Sequence, residues 1–365
     1  MNKIKNILIC PLEWGLGHAG RMIPLAARLR EMGHNVFIGA GEKHLSLFRK
    51  EIPGLSYIDF SGYKPVYSRF LPQYLKLLFD TPLLLFHIIR EHIRLKKIIR
   101  QHSIDIIISD NRFGLWNRKI VSVYVTHMPR IPFPAVFSFL EFFGVLLHRA
   151  VMKKYSLCLI PDLPGEINIS GRLSHGIKMP DSVRYIGLLS RFYDLEVNGD
   201  DSPVKERHNT VILSGPEPQK GILKNLLTDI TDKSKFLTVF LGGDPGNSHL
   251  PVRSGNSIYF NHLDSSVMRE VIQKSDFIIT RAGYSVIMEL ISLDRSALLI
   301  PTPGQTEQEY LARRLSQLGW FTTVSQKKIK DGIPLLKARQ EWPDELILNS
   351  RLLLEKALDE ILQKV

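Results

Sequence analysis

Cysteine is scarce in this sequence, since the 365-residue chain contains only Cys10 and Cys158. Two isolated thiols cannot supply a disulfide framework or a cysteine-rich metal site, and they suit a reducing compartment such as the cytoplasm. The sequence also lacks zinc-finger spacings and the aromatic signature of an RNA-recognition motif, so we do not expect nucleic-acid binding. The first apolar run ends at Pro11, which is too short for the core of a signal peptide and predicts a first strand.

Acidic residues are outnumbered, because 36 aspartates and glutamates face 48 lysines and arginines, giving a net charge of +12. This excess suits an anionic partner, such as a membrane surface, a phosphorylated substrate or nucleic acid. The composition does not indicate disorder, because 44% of the residues are hydrophobic and 9% are aromatic. The length favours two domains, each large enough to bury its own core.

Short apolar runs alternate with helical periodicity in both halves of the chain. The predicted strands are 6–12, 34–41, 104–110, 120–127 and 157–162 in the first half, and 209–215, 236–243, 257–261, 276–280 and 296–301 in the second. Strands that are apolar throughout and separated by helices indicate a parallel sheet covered on both faces. We therefore predict an α/β protein with two doubly wound, Rossmann-like domains that face a central cleft.

The middle of the chain contains a polar, aperiodic stretch that predicts a linker at 191–208. It separates an N-terminal domain, 1–190, from a C-terminal domain, 209–342. The last helical run lies in 343–365 and has no strand after it. We expect that segment to form a helix that is free to pack back on the N-terminal domain.

A glycine-rich turn, EWGLGHAGR, joins the first predicted strand to the first helix. Gly15 and Gly17 permit a tight turn and a close approach to a ligand, and the helix N-terminus favours negative charge. His18 would then project into the cleft. The alternative is a structural turn with a solvent-facing histidine.

A second turn, SGPEPQK, begins at Ser214 and Gly215, after the first strand of the second half. Its backbone amides and hydroxyl suit an anion. The alternative is a plain proline-rich loop.

A third turn, RAGYS at 281–285, opens the helix that follows the strand ending at Thr280. Gly283 and Ser285 therefore lie at an anion-favouring helix N-terminus. Glu289 lies four residues after Ser285 on the same helical face. A carboxylate accepts two hydrogen bonds from vicinal hydroxyls, as a ribose site requires, whereas the alternative is a partly exposed helix acid.

Five hydrogen-bonding side chains follow the break at 302–304: Gln305, Thr306, Glu307, Gln308 and Glu309. Such a row suits a polyhydroxylated ligand. Acidic residues in a first helical turn also stabilise the helix itself, which is the alternative explanation.

These motifs carry a family resemblance. The run from DFIITRAG through EL, LLIPTPG and Q-x-x-Q-E-Y resembles the C-terminal donor domain of family 28 glycosyltransferases and, more loosely, the donor motif of other GT-B sugar transferases. The similarity is specific over 276–325 and weaker at 211–220 and in the N-terminal Gly-x-Gly-His. Between 60 and 205 it does not extend beyond the fold pattern.

The resemblance implies a GT-B hexosyltransferase that holds a UDP-sugar in the C-terminal domain and an acceptor in the N-terminal domain. By position, Glu289 would bind the ribose, Gly283 and Ser285 the diphosphate, and Leu263 would lie near the uracil. The implied donor-binding residues are Gly17, Ser214, Gly215, Leu263, Arg281, Gly283, Ser285, Glu289, Gln305, Gln308 and Glu309.

The transfer would need a base. His18 matches the loop histidine of the family and titrates in the right range, with Glu13 and His127 as alternatives. Asp110 and Asn111, at the end of a strand, are predicted to orient the acceptor. The sequence contains no Asp-x-Asp pair, and helix N-termini can stabilise a departing diphosphate, so we expect no metal or other cofactor.

The segment 131–147 is apolar apart from Glu141. It is short for a spanning helix, and an acid near its middle is costly there, so a surface dipping into a membrane and a packed acceptor-domain helix are the main alternatives. A basic helical stretch nearby comprises Arg90, Arg94, Lys96, Lys97 and Arg100. It would hold an anionic membrane face, unless it is a solvated charged surface. We therefore expect a cytoplasmic protein, peripheral on the inner face of the cytoplasmic membrane.

Three functions remain open at this point. The first is inverting transfer of a GlcNAc-like hexose to a hydroxyl of a lipid-linked or envelope glycan. The second is a UDP-sugar epimerase of the same fold, which acts on the donor without an acceptor. The third is a non-enzymatic basic protein that binds membrane or nucleic acid.

Overall fold

The structure is a computed structural model that describes residues 3–64, 73–193, 202–246, 250–334 and 339–365. These residues form two seven-stranded sheets, one in each half of the chain, with helices between the strands. The predicted α/β class with two doubly wound domains is therefore confirmed. Residues 194–201 of the predicted linker lie outside the described ranges.

The N-terminal sheet is parallel, with the order β3-β2-β1-β4-β5-β6-β7. Its strands are β1 Asn6–Cys10, β2 Asn35–Ala40, β3 Ser56–Asp59, β4 Ile106–Asp110, β5 Val121–Val125, β6 Leu157–Ile160 and β7 Val183–Tyr185. Its helices are α1 Leu16–Glu31, α2 Glu42–Glu51, α3 Gln73–His102 and α4 Leu140–Met152, with 3-10 turns at Ala135–Phe137 and Gly171–Leu173. The strand order reverses between β1 and β4, and such a reversal opens a ligand-binding crevice at the carboxyl ends of the strands.

The C-terminal sheet repeats this topology in the order β10-β11-β9-β8-β12-β13-β14. Its strands are β8 His208–Ile212, β9 Leu237–Leu241, β10 Val252–Ser254, β11 Ser257–Phe260, β12 Ser275–Thr280, β13 Leu298–Leu299 and β14 Thr322–Thr323. Only the β10–β11 pair is antiparallel among the described pairings. The helices are α5 Gln219–Thr231, α6 Ser265–Gln273, α7 Tyr284–Ser292, α8 Thr306–Gln317 and α9 Glu345–Gln363, with a 3-10 turn at Lys328–Asp331. The reversal here lies between β8 and β12.

The central strands are predominantly apolar on both faces because helices cover both. Residues 106–110 of β4 and 121–125 of β5 are buried along their whole length. The edge strands differ, since β10 is exposed and β7 is half-buried throughout. The strand predicted at 157–162 is present as β6, but the prediction that it is the last strand of the first half is wrong, because β7 follows it. The sequence did not indicate β7, since this half-buried strand contains no apolar run.

The C-terminal helix α9 contacts the N-terminal half. Arg28 of α1 donates to both carboxylate oxygens of Glu355, at 2.6 and 2.9 Å. Arg184 of β7 pairs in the same way with Glu360, at 2.7 and 3.0 Å. The chain thus crosses from the second half back to the first and ties the two together.

Candidate functional site

A cavity of about 1240 Å³ lies between the two halves. It is lined by residues that follow β1 and β4 of the N-terminal sheet and β8 and β12 of the C-terminal sheet. These are the strands that flank each reversal of order, where ligands bind in doubly wound sheets. The topology therefore places the turns around His18, Ser214 and Gly283 on one cleft.

His18 and Asp110 form a buried hydrogen-bonded pair at this cleft. His18 lies in the first turn of α1, and its Nδ1 is 2.8 Å from Oδ2 of Asp110, the last residue of β4. Burial would raise the pKa of Asp110, but Arg21 and His18 outweigh it and lower that pKa to about 2. An ionised carboxylate only accepts hydrogen bonds, so Nδ1 of His18 carries the proton and Nε2 keeps its lone pair.

The His18 ring is poised to act as a base. It lines the cavity, and burial lowers the pKa of His18 below its ordinary value despite the opposing charge of Asp110. A histidine with a lowered pKa is neutral near pH 7 and accepts a proton through Nε2. This is the arrangement in which a carboxylate fixes the tautomer of a catalytic imidazole.

The structure corrects the predicted role of Asp110. Its side chain is fully buried, and both carboxylate oxygens are engaged by Arg21 as well as His18. It orients His18 and does not face an acceptor. Asn111 does line the cavity, and its Oδ1 accepts a hydrogen bond from the Tyr124 hydroxyl at 3.1 Å.

The two alternative bases are committed elsewhere. Nδ1 of His127 is 2.9 Å from Nη1 of Arg21, and its Nε2 is 2.7 Å from Oε1 of Glu307. Glu13 accepts from the backbone amide of Gly41 and pairs with Lys64 at 3.2 Å. Both ring nitrogens of His127 are engaged, and the Glu13 carboxylate is held by Gly41 and Lys64, so these contacts favour His18 over both.

The N-terminus of α7 faces the glycine-rich turn across the cleft. Gly283 is the N-cap of α7, and Ser285 is its second residue. A Cβ atom at Gly17 would lie 3.1 Å from the Cβ and Oγ of Ser285, so only glycine fits there without displacing its neighbour. The close approach brings the His18 turn beside an anion-favouring helix end.

Glu289 lies one turn into α7 and lines the cavity. Its Oε1 accepts a hydrogen bond of 2.8 Å from Nε of Arg191. Burial raises the pKa of Glu289, and Arg191 opposes that shift. The residue is thus a buried, ion-paired acid that faces the cleft, and not the partly exposed helix acid considered above.

Three further predicted donor residues also line the cavity. Ser214 and Gly215 follow β8, where Gly215 has a φ of 95°, a left-handed conformation that favours glycine. Leu263 lines it from the loop before α6.

Arg281 does not fit its predicted role in donor binding. Its guanidinium donates to the backbone carbonyls of Ile300 and Gln219, at 3.1 and 2.9 Å. The side chain is 1% exposed and does not line the cavity. It braces the ends of neighbouring strands and loops, because its long stem turns into the core.

Of the polar residues 305–309 that follow β13, some line the cavity and others hold the 302–304 turn. Gln305 and Gln308 line the cavity, and Gln308 Oε1 accepts from the amide of Thr302 at 2.8 Å. Glu309 accepts from the amide of Gly304 at 2.9 Å and does not line the cavity. Glu309 therefore stabilises the 302–304 turn before α8. This agrees with the alternative explanation, in which an acid in the first turn stabilises the start of the helix and does not bind a ligand.

Arg21 belongs to the site although no role was predicted for it, and Glu307 was predicted only as a member of the polar row 305–309 and not as a partner of His127. Arg21 follows His18 by three residues, so both lie on one face of α1, and that spacing was an available signal. The pairing of Glu307 with His127 gave no such signal, because the two residues lie 180 positions apart.

An apolar groove continues the cavity between α3 and α4. Its lining includes Ile89 and Ile93 of α3, and Phe143 and Leu147 of α4, each more than half exposed. Next to it, the predicted basic residues Arg90, Arg94, Lys96, Lys97 and Arg100 are exposed on α3. Among the described residues, no helix is both long and apolar enough to span a membrane.

Comparisons with known proteins agree with this architecture. Residues 242–338 match the model of the glycosyltransferase family 28 C-terminal domain. An uncharacterised glycosyltransferase of Methanosarcina acetivorans is 24% identical over 88% of this chain and 86% of its own length. The UDP-N-acetylglucosamine–N-acetylmuramyl-(pentapeptide) pyrophosphoryl-undecaprenol N-acetylglucosamine transferase of Clostridium botulinum strain 657 is 24% identical over 87% of this chain and 86% of its own.

The fold also matches a solved structure. The glycosyltransferase SnogD from Streptomyces nogalater superposes with a TM-score of 0.58 and 14% sequence identity, covering 98% of this chain and 95% of its own. At 14% identity this likeness shows the fold alone, whereas the resemblance to family 28 comes from the sequence matches. The chain is therefore a glycosyltransferase with the GT-B fold that resembles family 28.

Proposed function

We propose that the protein is an inverting glycosyltransferase that moves a GlcNAc-like hexose from a UDP-sugar to a hydroxyl of a lipid-linked or envelope-glycan acceptor. The observation that carries this proposal is the His18–Asp110 pair, which faces the N-terminus of α7 across one cavity. A base on one side and an anion-favouring helix end on the other are the two parts that such a transfer needs.

The mechanism follows from this geometry. Nε2 of His18 takes the proton of the acceptor hydroxyl, and the acceptor oxygen attacks the anomeric carbon of the donor. The bond from that carbon to the diphosphate oxygen breaks, and UDP leaves with the electron pair. This single displacement inverts the configuration, while Asp110 stabilises the imidazolium that forms.

The departing diphosphate carries the developing negative charge. The backbone amides at the start of α7, the Ser285 hydroxyl and the 214–215 turn are placed to receive it. We propose that these groups remove the need for a metal ion or other cofactor. Activity that survives EDTA would support this, and activity restored only by a divalent cation would contradict it.

The donor-binding roles are those that the resemblance to family 28 implies. Glu289 takes the ribose hydroxyls, Leu263 lies beside the uracil ring, and Gln305 and Gln308 bind the transferred sugar. All four line the cavity on the α7 side. The name of the Clostridium botulinum relative, which uses UDP-N-acetylglucosamine, supports a UDP-sugar as the donor.

The acceptor side supports a lipid-linked substrate. The groove between α3 and α4 joins the cavity to exposed apolar side chains, such as Ile89 and Phe143. An exposed apolar surface beside basic residues suits the anionic face of a membrane, where the protein would bind peripherally on the cytoplasmic side. A donor-only epimerase would not need this extension, so the groove favours transfer.

The decisive experiment has a binding arm and a reaction arm. UDP should raise the melting temperature of the wild type, and Glu289→Ala should abolish that rise, while Glu345→Ala on the exposed start of α9 should retain it. Incubation with a panel of UDP-sugars and lipid-linked acceptors should then yield a glycosylated lipid. No stabilisation by millimolar UDP would contradict the donor assignment, and epimerised UDP-sugar formed without acceptor would favour the epimerase.

A further inference from the structure

A continuous chain of hydrogen bonds crosses the cleft between the halves. It runs from His18 through Asp110, Arg21 and His127 to Glu307. The first four residues belong to the N-terminal half, whereas Glu307 is the second residue of α8 in the C-terminal half. The base is thus connected to the donor half through side chains that are at most 20% exposed.

The direction of each hydrogen bond is fixed by chemistry. Arginine only donates, so Nδ1 of His127 must accept from Arg21 at 2.9 Å. The proton of the His127 ring therefore lies on Nε2, which donates to Oε1 of Glu307 at 2.7 Å. His127 is a neutral ring in one tautomer as long as both bonds are present.

Aromatic stacking keeps His127 in this position. Its ring lies on that of Tyr284, with centroids 4.2 Å apart and planes at 16°. Tyr284, the first residue of α7, donates its hydroxyl proton to the carbonyl of Pro161 at 2.8 Å. His127 therefore cannot turn away from Arg21 without disturbing the start of α7.

We propose that Glu307 is a positioning residue that sets the state of His18 from the opposite side of the cleft. By accepting from Nε2 of His127, Glu307 holds Nδ1 as an acceptor for Arg21. Arg21 then keeps its hydrogen bonds to both oxygens of Asp110, which hold the Nδ1–H tautomer of His18. The base is complete only when the donor half closes on the acceptor half, and this inference rests on the proposed function for its catalytic consequence.

Low local polarity makes such a chain cooperative. Hydrogen bonds polarise one another when they lie in a buried environment, and the members here are between 0% and 20% exposed. Burial would raise the pKa of Glu307, but His127 and Gln305 together lower it, so the carboxylate is an ionised acceptor near neutral pH. The loss of this charge should therefore be felt at His18.

The test reads the histidine rings directly in the full-length protein without substrate. Nitrogen-15 NMR should show His18 protonated on Nδ1 and His127 on Nε2, with signals assigned by His18→Gln and His127→Asn. Glu307→Leu removes both the acceptor and its negative charge, so we expect the Nε2–H of His127 to lose its partner and the titration midpoint of His18 to fall. Glu307→Gln keeps an acceptor oxygen but loses the charge, so the midpoint should fall while the tautomer of His127 is kept.

The matched control is Thr306→Ala. The Thr306 hydroxyl donates to the carbonyl of Pro132 at 2.7 Å, so this variant removes a neighbouring bond between the halves without touching His127. The His18 titration should be unchanged in it. An unchanged His18 titration in both Glu307→Leu and Glu307→Gln would overturn the inference, and Glu307→Gln, being isosteric, keeps the test open if Glu307→Leu does not fold.

Kinetics give the second readout. Glu307→Leu should lower kcat by a factor of about 2 to 30, with little change in the donor KM, and Glu307→Gln should recover part of that loss. A change confined to the donor KM would mean that Glu307 binds the sugar, and would overturn the positioning role. If no UDP-sugar is transferred, the proposed function fails, but the NMR titration still decides this inference.

Discussion

At the scale of the residue, the chemistry of His18 depends on a partner 92 positions away. We predict that Asp110→Asn lowers kcat by about 10²- to 10⁴-fold, because an amide at this position no longer enforces the Nδ1–H tautomer. The measurement is single-turnover transfer at saturating donor. Stabilisation by UDP should be unaffected, and a variant with wild-type kcat would exclude His18 as the base.

The pH dependence of transfer follows from the same pair. His18 must be neutral to accept a proton, so activity is lost as the pH falls through its pKa. Burial places the pKa of His18 below its ordinary 6.5, and the acid limb of kcat/KM should therefore lie below pH 6.5. Asp110→Asn removes the charge that opposes this shift, so the limb should move to still lower pH. A limb above 6.5 in the wild type would indicate a different base.

Site residues could be predicted from the sequence where their position in the cleft follows from the strand that precedes them. His18, Ser285 and Glu289 each lie in the first or second turn of the helix that follows a strand, where the topology brings side chains to the cleft. Arg281 was misplaced, since a long side chain at a strand end can also turn into the core. The pairing of Asp110 with His18 requires knowledge of neighbouring strands that one sequence does not supply.

At the scale of the element, α3 and α4 present apolar side chains to solvent. We predict that Phe142→Glu, at a side chain that is 63% exposed, weakens binding to anionic vesicles by about 10-fold or more, because a buried phenyl contributes about 1.5–3 kcal/mol. Flotation or sedimentation with vesicles of anionic lipid measures the change. Binding should also weaken with salt, as the basic residues of α3 imply.

The matched control is Phe236→Glu, because Phe236 is 68% exposed at the start of β9, in the other half of the molecule. Vesicle binding should be unchanged in that variant. Equal losses in both variants would show that exposed apolar area in general, and not the apolar surface of α3 and α4, attaches the protein to lipid.

The elements themselves were predictable to different degrees. Central strands such as β4 and β9 were evident because both faces are buried, which makes the sequence predominantly apolar. The edge strands β3, β7, β10 and β14 were missed because they are short and partly or wholly exposed. Their positions depend on pairing with a neighbour and not on their own pattern.

At the scale of the whole molecule, the two halves meet in buried charges as well as in the cavity. Arg191 follows the N-terminal sheet and contacts Glu289 of α7 at 2.8 Å and Glu51 of α2 at 3.9 Å. The two acids lie in different halves, and all three side chains are at most 11% exposed. One guanidinium thus compensates two buried carboxylates across the interface, an arrangement that the sequence could not reveal because the three residues are far apart in the chain.

We predict that Arg191→Met destabilises the protein by about 3–5 kcal/mol at pH 7, because two buried carboxylates lose their counter-charge. Burial already raises the pKa of Glu51 and of Glu289 against the effect of Arg191, so both pKa values should rise further in the variant. The raised pKa values mean that these two acids hold their protons in the folded protein at pH values where the unfolded chain has released them. The free energy of unfolding must therefore fall as the pH rises above 4.5, the ordinary pKa of a glutamate. Urea unfolding at pH 5 and pH 7 should therefore show that Arg191→Met loses less stability, relative to the wild type, at pH 5 than at pH 7.

Arg28→Met is the control, because its pair with Glu355 is about 40% exposed and should contribute at most about 1 kcal/mol at either pH. A deficit in Arg191→Met that is the same at both pH values would mean that packing, and not charge compensation, is the role of Arg191.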